Sequence, residues 1–326
     1  MRTTQALAVI DALQSSDWNR EIFQSLVNSN VIAVHVTLAF WQDCRQTLSA
    51  IGNWNRHFNE NADLILPVRS VDDIDLAANT GRTGIILGFQ NSSSIEDELA
   101  LVEIFHSLGI RIMQLTYNNQ SLLGTGCYES ADSGLTRFGK NVIREMNRLG
   151  MIIDVSHTSE RTCLEAIEFS DRPIAVTHAN PLTFENVVRN KSDKLLRSLA
   201  DSGGMLGFSL YPLHLKNGSD CTLQDFCEMV AQTAQMIGVE HLGFGSDLCL
   251  GWSDEQVSYM RNGTWNIENA SDDSAVWPAY PSWFQCNEDF PNIASGLQKA
   301  GFSDAEIEMI YSGNWYRFFE RAMAAQ

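Results

Sequence analysis

Seven short apolar runs alternate with segments of helical periodicity along most of this chain. The runs are residues 31–36, 84–89, 111–116, 151–155, 173–177, 205–209 and 242–245. Most are rich in Ile and Val and apolar without alternation, the pattern of strands buried on both faces of a parallel sheet. Between them lie amphipathic stretches. Residues 95–108 place Leu99, Val102, Phe105 and Leu108 on one helical face, and residues 138–149 do the same with Val142, Ile143, Met146 and Leu149. Residues 159–169, 194–200 and 223–237 follow suit. This β-α alternation predicts an α/β fold, a (β/α)8 barrel of TIM type, with its eighth strand unassigned. An open doubly wound sheet is the runner-up, and no G-x-G-x-x-G follows the first run to favour it. Residues 251–283 lack either periodicity and are rich in Trp, Tyr, Asn and Ser. They read as a long aromatic-rich loop after the last clear strand, where loops of a barrel overhang its mouth. A helical segment at 304–319, interrupted by Ser312-Gly313-Asn314, closes the chain. With no repeat, linker or low-complexity tract, residues 1–326 are expected to form a single domain.

Charge and composition narrow the partners. The 326 residues carry a net charge of −18, which disfavours nucleic acid and anionic membranes, since both require basic patches. No run of about 18 uncharged apolar residues marks a membrane span. The N-terminal residues lack a signal-peptide core, so a cytoplasmic location is expected. Seven scattered cysteines without a C-x-x-C pair predict free thiols, neither a disulfide framework nor a zinc–thiolate site.

Candidate chemistry gathers where the apolar runs end. His35 and Thr37 close the first run, Gln90 the second and Tyr117 the third; His157, His178 and Asp247 close later ones. Singly, each is ordinary: a lone histidine on an apolar strand is usually a satisfied core residue, and an Asp after Gly-Ser a turn or helix cap. Jointly they are hard to explain as packing, because buried polar groups without a shared partner cost free energy. Barrels of this type build active sites from the C-terminal ends of their strands, and imidazole is the commonest protein ligand for zinc.

The order of these residues resembles the membrane (renal) dipeptidase family of zinc metallopeptidases, within the amidohydrolase-type barrels. The telling segments are Gly134-Leu135-Thr136, Ile153-Asp154-Val155-Ser156-His157-Thr158-Ser159 and Thr177-His178-Ala179-Asn180. Arg189-Asn190-Lys191-Ser192-Asp193, Gly243-Phe244-Gly245-Ser246-Asp247 and Gly313-Asn314-Trp315-Tyr316-Arg317 complete the match. The resemblance implies that His157 and His178 bind one zinc of a pair and that Asp247 binds the other and handles the proton of the attacking water. It also implies that Arg189, with Asn190 beside it, receives the substrate carboxylate.

Three positions depart from that pattern. The first-strand His-x-Asp reads His35-Val36-Thr37, the bridging glutamate reads Gln90, and the histidine that contacts the scissile carbonyl reads Tyr117. The family pattern sets two zinc ions against two aspartates and a glutamate, a net charge of plus one. With Asp247 as the remaining acid, one zinc restores that balance, whereas two leave an excess that is costly in a low-dielectric pocket. One Zn2+ per chain is therefore expected, at His157 and His178 with Gln90 completing the shell and His35 at the other, empty half. Asp247 would act as general base and Tyr117 as hydrogen-bond donor to the oxyanion. The expected function is metal-dependent hydrolysis of an amide next to a carboxylate, in a dipeptide or N-acyl amino acid. The alternatives are an inactive barrel that binds a small carboxylated ligand, and a hydrolase or lyase of a non-peptide amino acid derivative. Trp252, Trp265, Trp277, Tyr280, Trp283 and Phe284 are candidates to cap the pocket, and the resemblance makes a homodimer the expected assembly.

Overall fold

A computed structural model describes residues 7–263 and 277–324. Eight parallel strands close into a barrel: β1 (Val9–Gln14), β2 (Val31–Ala39), β4 (Thr83–Phe89), β5 (Ile110–Gln114), β6 (Ile152–Asp154), β7 (Ala175–Val176), β8 (Met205–Phe208) and β9 (Leu242–Phe244). Closure comes from β1, which pairs with β2 through Asp11 opposite Val34 and with β9 through Asp11 opposite Phe244. A short ninth strand, β3 (Ile65–Pro67), pairs with the first residues of β4, ahead of the point where β5 joins at Leu87. The expected fold class is thus observed, and β1 is the eighth barrel strand that the apolar pattern left unassigned. Asp11 and Gln14 break its apolar run, which hides it as a strand.

Helices cover the barrel's outside. The segment after β5 is helical at Arg137–Leu149, with the Thr136 hydroxyl accepting from the Gly139 amide and Gly150 ending it in the left-handed conformation, as helix termini require. Two corrections concern the end of the chain. The aromatic-rich stretch is not all loop, since Asp254–Asn262 is a helix capped by Ser253; Trp265 lies outside the described residues. The closing segment is not interrupted at Ser312-Gly313-Asn314 but runs on through a π-helical turn, Met309–Gly313, between α-helices Asp304–Glu308 and Asn314–Ala322.

The barrel interior changes character from one end to the other. Near the strand starts Ile10, Ile86, Ile112, Ile152, Ala175 and Met205 form one buried apolar cluster with Trp315, Phe318 and Phe319 of the last helix. That helix plugs the bottom, and Gly243 makes room for Trp315, whose Nε1 donates to the Phe244 carbonyl at 2.9 Å. One layer higher the strands carry Asp11, His35, Gln114, Asp154 and Thr177, all fully buried. Above these, the chain turns outward into the loops that hold the site, as expected at the C-terminal face of such a barrel.

Candidate active site

His157 and His178, from the ends of β6 and β7, meet with their Nε2 atoms 2.9 Å apart. The Nδ1 atom of His157 lies 2.6 Å from the Asn118 side-chain amide oxygen, and that of His178 lies 2.8 Å from the Thr177 hydroxyl. Tyr117 stacks on the His157 ring at 4.3 Å. Burial, with the nearby Arg189 guanidinium, holds both imidazoles well below the usual histidine range, so both are neutral.

His157, Tyr117 and Asn118 border a cavity of about 1080 Å³ whose wall also includes Gln90, Tyr128, Arg189, Tyr211, His214 and Asp247, while His178 is fully buried against His157. Asp247 sits at φ +56°, in the left-handed region that Asp tolerates better than most residues. Its amide donates to the Leu13 carbonyl at 3.0 Å, and the Tyr280 hydroxyl donates to its carbonyl at 2.6 Å. The preceding Ser246 is fixed by Asp11, which accepts from the Ser246 amide at 2.8 Å and hydroxyl at 2.5 Å. Burial pushes the Asp247 carboxyl up to about 7 against the opposing pull of Arg189, so near neutral pH it can both hold and release a proton.

Arg189 is buried rather than on the surface. Its guanidinium donates to the Ser156 carbonyl and, at 3.4 Å, to that of His178. No carboxylate among the described residues forms an ion pair with it; the ion pairs are elsewhere, on the surface. A guanidinium held this way presents its remaining donors to a planar anion. Tyr117 is kept in the phenol form by burial, with the Asp247 charge adding to the effect, which leaves it a donor.

Three expected residues stand differently. The first barrel strand is β1, so His35-Val36-Thr37 lies on the second barrel strand and not the first. His35 lies inside the barrel, fully buried, with Nδ1 2.7 Å from the Ala12 carbonyl and its ring in the space left by Gly88. Burial lowers its pKa to about 4, and its Nε2 has no partner among the described residues. Asn190 does not border the cavity. Its oxygen accepts from the Asn180 amide at 3.0 Å and its NH2 donates to the Glu185 and His214 carbonyls, bracing the loop after β7. Gln90 does border the cavity, but its NH2 donates to the hydroxyls of Thr37 at 2.7 Å and Ser15 at 3.3 Å. Ser15 in turn donates to Thr37 at 2.8 Å.

The aromatic segment is divided. Trp277 borders the cavity, Trp252 packs edge-on against Phe40, and Tyr280 buttresses Asp247. Trp283 and Phe284 pack instead with Phe226 and Phe290 in the core. Sequence reasoning missed His214, which the structure buries against the cavity with Nδ1 2.8 Å from the Ser209 hydroxyl. It also missed Asp11 and Ser15, because their strand was not recognised. All seven cysteines are free, as expected.

The donor set is selective toward metal ions. Two neutral imidazole nitrogens aimed at one point are good zinc ligands. Among the described residues, no His, Cys, Asp or Glu joins them to form a group of three. The neighbouring Ser15–Thr37–Gln90 cluster is neutral and hydrogen-bonded within itself, so it offers no carboxylate to a second ion.

Comparison with known proteins identifies the family and the fold. The profile of the family described as membrane dipeptidase (peptidase family M19) matches residues 10–260. The structure superposes on the crystal structure of an amidohydrolase from Pseudomonas aeruginosa with a TM-score of 0.92 and 33% identity, covering 97% of this chain and 96% of that one. It shares its fold, at 16% identity and a TM-score of 0.81, with a metallopeptidase from Rhodobacter sphaeroides solved with a phosphinate mimic of the dipeptide L-Ala-D-Ala; 98% of this chain and 100% of that one are covered. Dipeptidase tcpJ of Claviceps purpurea is 26% identical over 276 residues, 84% of this chain and 59% of that protein. An uncharacterized dipeptidase of Schizosaccharomyces pombe is 33% identical over 193 residues, 57% of this chain and 46% of that protein. The chain thus spans about half the length of the curated relatives it matches. A profile match over most of the chain, on a barrel that brings His157, Arg189 and Asp247 to one cavity, places this protein in the membrane dipeptidase family, peptidase family M19.

Proposed function

We propose that this chain is a hydrolase that cleaves an amide bond next to a carboxylate, as in a dipeptide or N-acyl amino acid, with one divalent metal ion per chain. The observation that carries this is that His157, with the neutral His178 2.9 Å from it, borders one cavity together with a buried arginine and an aspartate near its titration point. His157 and His178 would hold the ion, with the Gln90 oxygen and water completing the shell. A zinc ion there supplies Lewis acidity toward the scissile carbonyl and makes water more acidic.

The chain's own groups supply the rest. Arg189 binds the substrate carboxylate and so fixes the amide beside the histidine pair. Asp247 takes a proton from the attacking water and returns it to the leaving amine. Tyr117, protonated and buried, donates to the oxygen on which negative charge develops. The Rhodobacter metallopeptidase, whose ligand mimics a dipeptide, supports this substrate class. No described helix is long and apolar enough to cross a membrane; a cytoplasmic location and a homodimer remain part of this proposal.

Steady-state hydrolysis of a panel of dipeptides and N-acyl amino acids, each paired with its C-terminal amide, tests it. Carboxylate substrates should be cleaved and their amides should not, and Arg189→Lys should raise KM about 10- to 100-fold, the worth of a charged hydrogen-bonded contact. Equal rates on acids and amides, or an Arg189→Lys variant with parental KM, would contradict it.

A further inference from the structure

Asp154 belongs to the segment 153–159 that marks the family, yet it neither borders the cavity nor has a role in the chemistry above. It accepts four hydrogen bonds: from the Ser156 amide at 2.9 Å and hydroxyl at 2.6 Å, and from the Thr177 amide at 3.1 Å and hydroxyl at 2.6 Å. The last of these fixes a direction. A carboxylate can only accept, so the Thr177 hydroxyl hydrogen points at Asp154. The Ser156 hydroxyl, 3.2 Å away, spends its own hydrogen on Asp154, so the Thr177 oxygen is left to accept from the Nδ1 of His178 at 2.8 Å. His178 must therefore carry its proton on Nδ1, which leaves a lone pair on Nε2. On the other side, the Asn118 oxygen faces Nδ1 of His157 and sets the same tautomer there. Two Nε2 lone pairs thus face each other at 2.9 Å, an arrangement that repels unless a cation lies between them.

We infer that Asp154, acting through the Thr177 hydroxyl, is a positioning residue that locks His178 in the Nδ1–H tautomer and so prepares the histidine pair to share one cation. Resting on the one-metal reading above, this extends it one layer outward: carboxylate, hydroxyl, imidazole, ion. The hydroxyl stands where a carboxylate or carbonyl commonly contacts a metal-binding histidine directly. The intervening link also explains why β7 needs Thr at 177 rather than another β-branched residue, since Val fills the same space and cannot relay the bond.

The test uses the full chain with 15N-labelled histidine, in parental, Thr177→Val, Thr177→Ser and Asp154→Asn forms. Imidazole 15N shifts in the metal-free proteins report the tautomer of His178, and competition titration reports Zn2+ affinity. Thermal melting confirms that each variant is folded; Thr177→Val is the isosteric probe if Asp154→Asn does not fold. The parent and Thr177→Ser should show the Nδ1–H form. Thr177→Val should lose it and bind zinc about 10- to 100-fold more weakly, the usual effect of removing such a partner. An Nε2–H tautomer in the parent, or Thr177→Val with unchanged tautomer and affinity, would overturn the relay. If the tautomers behave as stated but no form binds zinc, the relay stands and the one-metal reading falls.

Discussion

Asp247 shows what a functional residue costs the fold. Its carboxyl is raised from the ordinary 3.8 to about 7 by burial, so the folded chain holds that proton harder than the unfolded chain does. Stability is then undiminished near pH 3, below both values, and falls as pH climbs toward 7 and the buried group must ionise. The loss amounts to a few kcal/mol, since each tenfold gain in proton affinity on folding is worth about 1.4 kcal/mol. In metal-free protein, Asp247→Asn should therefore match the parent in urea midpoint near pH 3 and exceed it at pH 8; in metal-loaded protein it should lose hydrolytic activity. A variant no more stable than the parent at pH 8 would show that the carboxyl is not under this strain. Arg189, His157, His178 and Asp247 were legible in the sequence because each ends a strand or lies in a motif with fixed spacing. His35 and Asn190 misled because neither a place on an apolar run nor a place beside Arg189 reveals where a side chain points. Only the packed barrel shows that His35 fills the space beside Gly88 and that Asn190 is saturated by backbone groups.

At the scale of elements, the site depends on how closely β8 and β9 approach β7. A Cβ on Gly245 would lie 1.7 Å from the Thr177 carbonyl oxygen, and one on Gly207 would lie 1.9 Å from it. Backbone cannot yield as a flexible side chain can, so Gly245→Ala must push the end of β7, and His178 with it, out of place. It should lower stability by about 1–3 kcal/mol, the usual cost of overpacking, and weaken metal binding; an unchanged urea midpoint and affinity would refute this close fit. Strands with continuous apolar runs were legible: β4, β5, β8 and β9 all lie within or beside the expected stretches. β1 was not, because the polar Asp11 and Gln14 that serve the site also erase its apolar signature. The helix Asp254–Asn262 was missed for a related reason: only Val257 and Met260 are buried on it, too few to mark a periodic face.

At the scale of the whole molecule, a chain of net charge −18 closes around a cavity whose wall holds a buried arginine and a single aspartate near its titration point. Within the barrel the acids Asp11 and Asp154 are spent on hydroxyl and amide partners one layer below the site. Near the ends of β1, β2 and β4 the polar groups are the neutral Ser15, Thr37 and Gln90, bonded to one another. On the proposed reading, a barrel arranged in this way seats one ion and not a second. Elemental analysis of protein purified without chelator and then equilibrated with Zn2+ tests this most directly. The account predicts close to one equivalent of zinc per chain, lost in His157→Ala while the fold persists; two equivalents in the parent, or one that survives His157→Ala, would contradict it.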